Sequence, residues 1–70
     1  MDATMPSLQE YDYVELQVGL SPDLPPGVRG TVLLVYPGPK NDYEVEFVDA
    51  SGSTLGVETV NGSVLCLVPS

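Results

Sequence analysis

Any chemistry in this chain would have to come from its acids. It carries ten Asp and Glu residues against two Lys and Arg, with no histidine and one cysteine. The tightest acidic spacing is Glu44-Val45-Glu46, and positions two apart share one face of an extended strand. With Glu15 or Glu58 beside them, these carboxylates would form a cluster. Such a cluster could hold Ca²⁺ or Mg²⁺ weakly, receive Lys and Arg side chains of another protein, or stay solvated. Extended strands space carboxylates too widely for the oxygen cage that Ca²⁺ takes, so the two metal-free readings lead.

Other reactive groups are poorly placed for catalysis. Acid–base work by paired carboxylates needs a pocket that separates their pKa values, and the sequence builds none. Ser51, Ser53 and Ser63 fall in turn-like segments with no evident base, and Lys40 lies in a Pro-flanked loop that suits an ordinary solvated amine. Cys66 stands between Leu65 and Leu67 with no positive neighbour to lower its pKa. It is expected as a small buried apolar residue. The chain is therefore expected to be no enzyme and to use no cofactor or metal.

Charge narrows the partners. A net charge of −8 leaves only Arg29 and Lys40 to meet phosphates, and phosphate-backbone binding depends on such cations. Nucleic acid is excluded on this ground, and anionic membrane surfaces are disfavoured by the same repulsion. An acidic domain is steered toward basic proteins instead. The first ten residues hold no basic residue and no apolar run, so no secretory signal is expected. No segment approaches the roughly 20 apolar residues that cross a bilayer. With a single cysteine, a cytoplasmic location is expected.

The elements that must position these groups are strands. Residues 1–10 look like a short N-terminal arm, and residues 11–70 like one domain. In "YDYVELQVGL", Val14, Leu16 and Val18 alternate with Tyr13, Glu15 and Gln17, the period of a half-buried strand. "SPDLPPG" is a stiff loop, because its prolines suit neither helix nor inner strand. Strand two, residues 30–36, is apolar on both faces, with Val32, Leu34 and Tyr36 in one row and Leu33 and Val35 in the other. In strand three, "YEVEFV", Tyr43, Val45 and Phe47 alternate with Glu44 and Glu46. Tyr36 and Tyr43 flank the intervening turn and are expected to pair across it. "TLGVETV" is strand four, Asn61-Gly62 a tight-turn signal, and "VLCLV" strand five. Seven glycines and seven prolines leave no helical window. The pattern predicts a small five-stranded antiparallel barrel, with an OB-like barrel ranked second.

Apolar residues exceed what one barrel interior takes. If Val32, Leu34, Val64, Cys66 and Val68 point inward, then Leu33, Val35, Leu65 and Leu67 are left over. Either strands two and five bury both faces, or the surplus forms an exposed patch of the kind that marks interfaces. The interface is favoured, since a 70-residue domain buries only roughly 60% of its surface on folding. Small folds often lean on disulfides, metals or self-association, and Cys66 has no partner for a disulfide within the chain.

The segments "PPGVRGTVLLVY" and "YEVEFVD" resemble a family of small bacterial SH3-like barrels of unknown function. These are distantly similar to the nitrile hydratase beta-subunit and to electron-transfer accessory barrels. The matching positions are Gly27, Gly30, Thr31, Val32, Tyr36, Tyr43, Glu44, Val45, Glu46, Phe47 and Asp49. The resemblance implies an all-β SH3-like barrel over roughly residues 11–68. It carries no catalytic residues. The uncharged tail "VLCLVPS" departs from the pattern, whose last strand often carries charge. The glycines also echo the KOW motif of RNA-binding barrels, a reading the net charge rejects.

Together these features predict a non-catalytic protein-interaction module of the antitoxin, immunity or accessory type. Its partner would be a basic protein or a second copy. The surface would combine Glu15, Glu44, Glu46 and Glu58 with Leu33, Val35, Leu65 and Leu67. The alternatives are a homodimeric structural barrel and a weak metal- or small-ligand-binding module.

Overall fold

A computed structural model of the chain describes residues 8–69. It contains five strands, β1 (Tyr13–Leu16), β2 (Arg29–Val35), β3 (Asp42–Val48), β4 (Thr54–Asn61) and β5 (Leu65–Leu67), with one 3₁₀ turn over Gly62–Val64. All pairings are antiparallel, and the sheet order is β4-β3-β2-β1-β5. β4 and β5 do not pair, so the five strands form an all-β antiparallel sheet that is not closed. The turn at Asn61 also differs from the expected one. Its side chain accepts from the Ser63 amide at 3.0 Å and donates to Asp42 Oδ1 at 3.0 Å. Asn61-Gly62 thereby starts a 3₁₀ turn, not a two-residue hairpin, and β5 passes to the far side of β1.

The core sits on one face of the sheet. Val14, Leu16, Val32, Val45 and Phe47 are at most 1% exposed, and Leu8, Leu24, Tyr43 and Val60 complete the cluster. Alternation explains most of this, because each contributing strand places every second residue inward. Gly30 lies across from both Val14 and Phe47. A Cβ there would fall 2.5 Å from the Glu46 carbonyl oxygen and 2.9 Å from Val45 Cγ1. Only glycine lets β2 approach β3 so closely. Gly27, at φ 96°, turns the chain into β2 in a conformation that side chains resist.

Two segments outside the sheet close the core. The proline-containing loop is tied at its base by bonds from Leu16 N–H to the Val28 carbonyl and from Gly27 N–H to the Leu16 carbonyl, each 2.8 Å. It buries Leu24 as a plug. Of the expected N-terminal arm, residues 1–7 lie outside the described residues. Leu8 is buried, and its amide donates to the Tyr43 hydroxyl at 3.3 Å.

Two strands run in a different phase from the one expected. A bulge between Val32 and Leu34 makes Val32 an inner residue and turns Leu34 to the opposite face, across from Glu44. Inserting one residue into a strand inverts the alternation beyond it. Val35, across from Tyr43, then points to the core side but stays 38% exposed at the sheet's end. In β5, Leu65 and Leu67 pair with Leu16 and Val14, so they share the core side and Cys66 faces out. Leu65 packs against the core, and Cys66 is exposed, contrary to the expected buried thiol.

Candidate interaction surface

The carboxylates distribute over the sheet according to register. Glu44 and Glu46 point to the outer face, away from Val45 and Phe47, and both are half-buried. Glu58 pairs with Val45 and therefore lies on the opposite side of the sheet. Glu15 is on the outer face but two strands away, about 10 Å at ordinary strand spacing. There it stands across from Arg29 in an opposite-charge cross-strand pair. The cluster of four is thus not assembled; Glu44 and Glu46 remain together. Among the described residues, no group of three or more His, Cys, Asp or Glu is arranged to hold a metal ion.

The two outer carboxylates are held by hydroxyls from neighbouring strands. Glu44 Oε1 accepts from Tyr36 Oη at 2.9 Å and from Thr59 Oγ1 at 2.9 Å, while Glu46 Oε2 accepts from Thr54 Oγ1 at 2.7 Å. Tyr36 therefore does not pair with Tyr43 across the turn as expected. The bulge places Val35 across from Tyr43, and the Tyr36 ring reaches the outer face.

Apolar side chains frame this acidic strip. Leu34 sits across from Glu44, and Val57 across from Glu46. Tyr13, Leu34, Tyr36 and Val57 are all between 37% and 46% exposed. Beyond them an open groove runs between the proline loop and the β3–β4 turn, with Tyr13, Pro25, Arg29, Asp49 and Leu55 in its lining. The predicted apolar residues are scattered instead. Leu33 is the bulge residue, Val35 is at the sheet's end, Leu65 packs inward, and Leu67 is 47% exposed on the core side. Sequence reasoning missed Leu34, Val57 and Tyr13 as the flanks of the acids. The bulge that turns Leu34 outward has no residue signature of its own in "VLLV".

Among the described residues no carboxylate is buried, and no buried side-chain polar atom lacks a partner. Asp49 has a lowered pKa. Its carboxylate accepts from the Ser51 hydroxyl at 2.7 Å and from the Ser51 and Ser53 amides at 2.9 Å each. These bonds, the Ser51 hydroxyl first, hold its pKa below the ordinary 3.8. The site is the exposed turn between β3 and β4, where Gly52 adopts φ 90°.

The fold and this surface define a small all-β antiparallel domain with an acidic, apolar-framed sheet face. The chain belongs to the family described as domain of unknown function DUF4926, which matches residues 10–66. That span runs from the turn before β1 into β5. No curated protein and no solved structure matches the chain. Among the described residues, no helix is long and apolar enough to cross a membrane.

Proposed function

We propose that this domain is a non-catalytic interaction module whose outer sheet face docks a basic protein. The observation that carries the reading is the fixing of Glu44 by two hydroxyls, beside Glu46 and between exposed apolar side chains. A carboxylate already held in one orientation loses little freedom when an ammonium or guanidinium docks on it. Apolar flanks shed water around the contact, the usual surrounding of an energetic hot spot. The −8 charge draws basic proteins toward the face. Size and charge suit an antitoxin- or immunity-type chain that masks a basic protein such as a nuclease. In this reading the sheet is an SH3-like barrel with one seam open; the bulge in β2 and the return of β5 beside β1 support it. A cytoplasmic location fits the single exposed thiol.

The test is retention from host lysate at low salt on the immobilised chain, with Glu44→Gln/Glu46→Gln alongside. The expected result is a basic protein held by the wild type, released by added salt and not held by the double variant. No basic protein retained, or equal retention by both, overturns the reading.

A homodimer through β5 is the second reading. Leu67 favours it, being 47% exposed although its register partner Val14 is fully buried.

A further inference from the structure

The strand at one border of the sheet is open along its length. β4 spans eight residues and, among the described residues, pairs only with β3. Bonding parity fixes which of its backbone groups are free. The Gly62 amide donates to the Asn41 carbonyl at 2.8 Å. Bonded antiparallel pairs recur at every second residue, so Val60, Glu58 and Gly56 bond Tyr43, Val45 and Phe47. The amides and carbonyls of Val57 and Thr59 consequently point away from the sheet. The same parity holds elsewhere: the bonds from Leu16 N–H to Val28, Val32 N–H to Asp12 and Tyr36 N–H to Asp42 all fall on the alternate set.

Exposed edges are usually guarded by proline, lysine, a bulge or short length. β5 is guarded: it has three residues, follows a 3₁₀ turn and is followed by Val68 and Pro69. β4 has no proline and no basic residue, and its irregularity is confined to the start, where Leu55 is the extra residue between Thr54 and Gly56. From Gly56 to Asn61 the edge is regular and carries one charge, Glu58.

We propose that this edge receives an extended segment of a basic partner as a sixth strand. Charge complementarity selects the occupant. Glu58 lies on the edge strand itself, Glu44 and Glu46 lie one strand inward, and the whole chain carries −8. A segment with Lys or Arg at alternate positions carries them all on one face, the outer one with Glu44 and Glu46 or the opposite one with Glu58, whereas a second copy brings another −8 to the same border. Main-chain bonds to Val57 and Thr59 would supply register, and the side chains selectivity, as in other strand additions. The proposal rests on the basic-partner reading above and names how that partner is held.

The probe is a capped peptide as long as β4 that alternates valine and lysine, titrated into the full chain and followed by amide shifts and amide exchange. The expected result is binding that protects the Val57 and Thr59 amides. Val57→Pro removes an outward donor without breaking a β3–β4 bond, and should weaken binding about tenfold, the size of one lost hydrogen bond of the stronger kind. Val57→Thr keeps the amide while losing part of the apolar flank, and should bind more tightly than Val57→Pro. A peptide methylated at every backbone nitrogen tests the same bonds without altering the protein, and should fail to bind. A valine–glutamate peptide should bind at least about tenfold more weakly than its lysine counterpart.

Equal binding by the two peptides, equal binding after Val57→Pro, or no protection at Val57 and Thr59 overturns the proposal. So does a stable dimer of the chain alone that Val57→Pro dissociates, since the edge is then filled by a second copy. Failure of the face reading is separate: it appears as indifference to Glu44→Gln/Glu46→Gln while the edge variants still respond.

Discussion

The Tyr36 hydroxyl donates to Glu44 Oε1 at 2.9 Å across the sheet's outer face, eight residues away in sequence. Thr59 reaches the same oxygen from the other side. Tyr36→Phe should therefore free the Glu44 carboxylate while leaving the core intact. An exposed bond of this kind contributes about 0.5 kcal/mol, so urea midpoints should barely move. Binding of the valine–lysine peptide should fall a few-fold. A large loss of stability would show that Tyr36 has a packing role instead.

Gly30 is the tightest point between strands. A methyl group there would press on the Glu46 carbonyl and the Val45 side chain, and neither is the far end of a flexible chain. Gly30→Ala is expected to cost about 2–4 kcal/mol, in the range of overpacked cores. That is a large share of the roughly 4–10 kcal/mol a domain of this length has in all. Urea denaturation should show a strongly lowered midpoint or an unfolded chain; an unchanged midpoint would mean that β2 and β3 can separate easily.

Asp49 gives the β3–β4 turn a dependence on acid. Its folded pKa is depressed, so its contribution is present above the ordinary value of 3.8 and is lost as pH falls through the folded pKa. Wild type should exceed Asp49→Asn in urea midpoint at pH 7, and the gap should begin to narrow near the ordinary 3.8 and close as pH falls through the folded pKa. A gap independent of pH would assign the effect to shape, not to charge.

Leu67 separates the two readings of self-association. If β5 joins two copies, Leu67→Asp should convert a dimer into monomers in light scattering. If the wild type is monomeric over a wide concentration range, or the variant assembles equally, β5 is not the joint.

Much of the sheet was legible from alternation alone. Val14 and Leu16 against Glu15, and Tyr43, Val45 and Phe47 against Glu44 and Glu46, take the sides their spacing predicts. Gly27 and Gly30 stand where a turn and a close approach require them. What escaped was parity between strands. Whether Glu58 joins Glu44 depends on how the β3–β4 turn sets the register, and a shift of one residue exchanges the faces. Apolar residues on both sides of "VLLV" erase the signal of a bulge, so Leu34 and Leu33 could not be told apart. In the last strand, Leu65, Cys66 and Leu67 are all apolar, and the 3₁₀ turn ahead of them set the phase.

The two borders of the sheet are unlike, and that asymmetry limits how large an assembly can grow. A run of copies joined edge to edge needs two receptive borders on each molecule, one to give and one to take. Here β5 is short and soon followed by Pro69, while β4 is long and open. One added strand on β4 leaves nothing equivalent on the far side to continue the series. The expected stoichiometry is therefore one partner segment per chain, and a complex of defined size in place of a fibre.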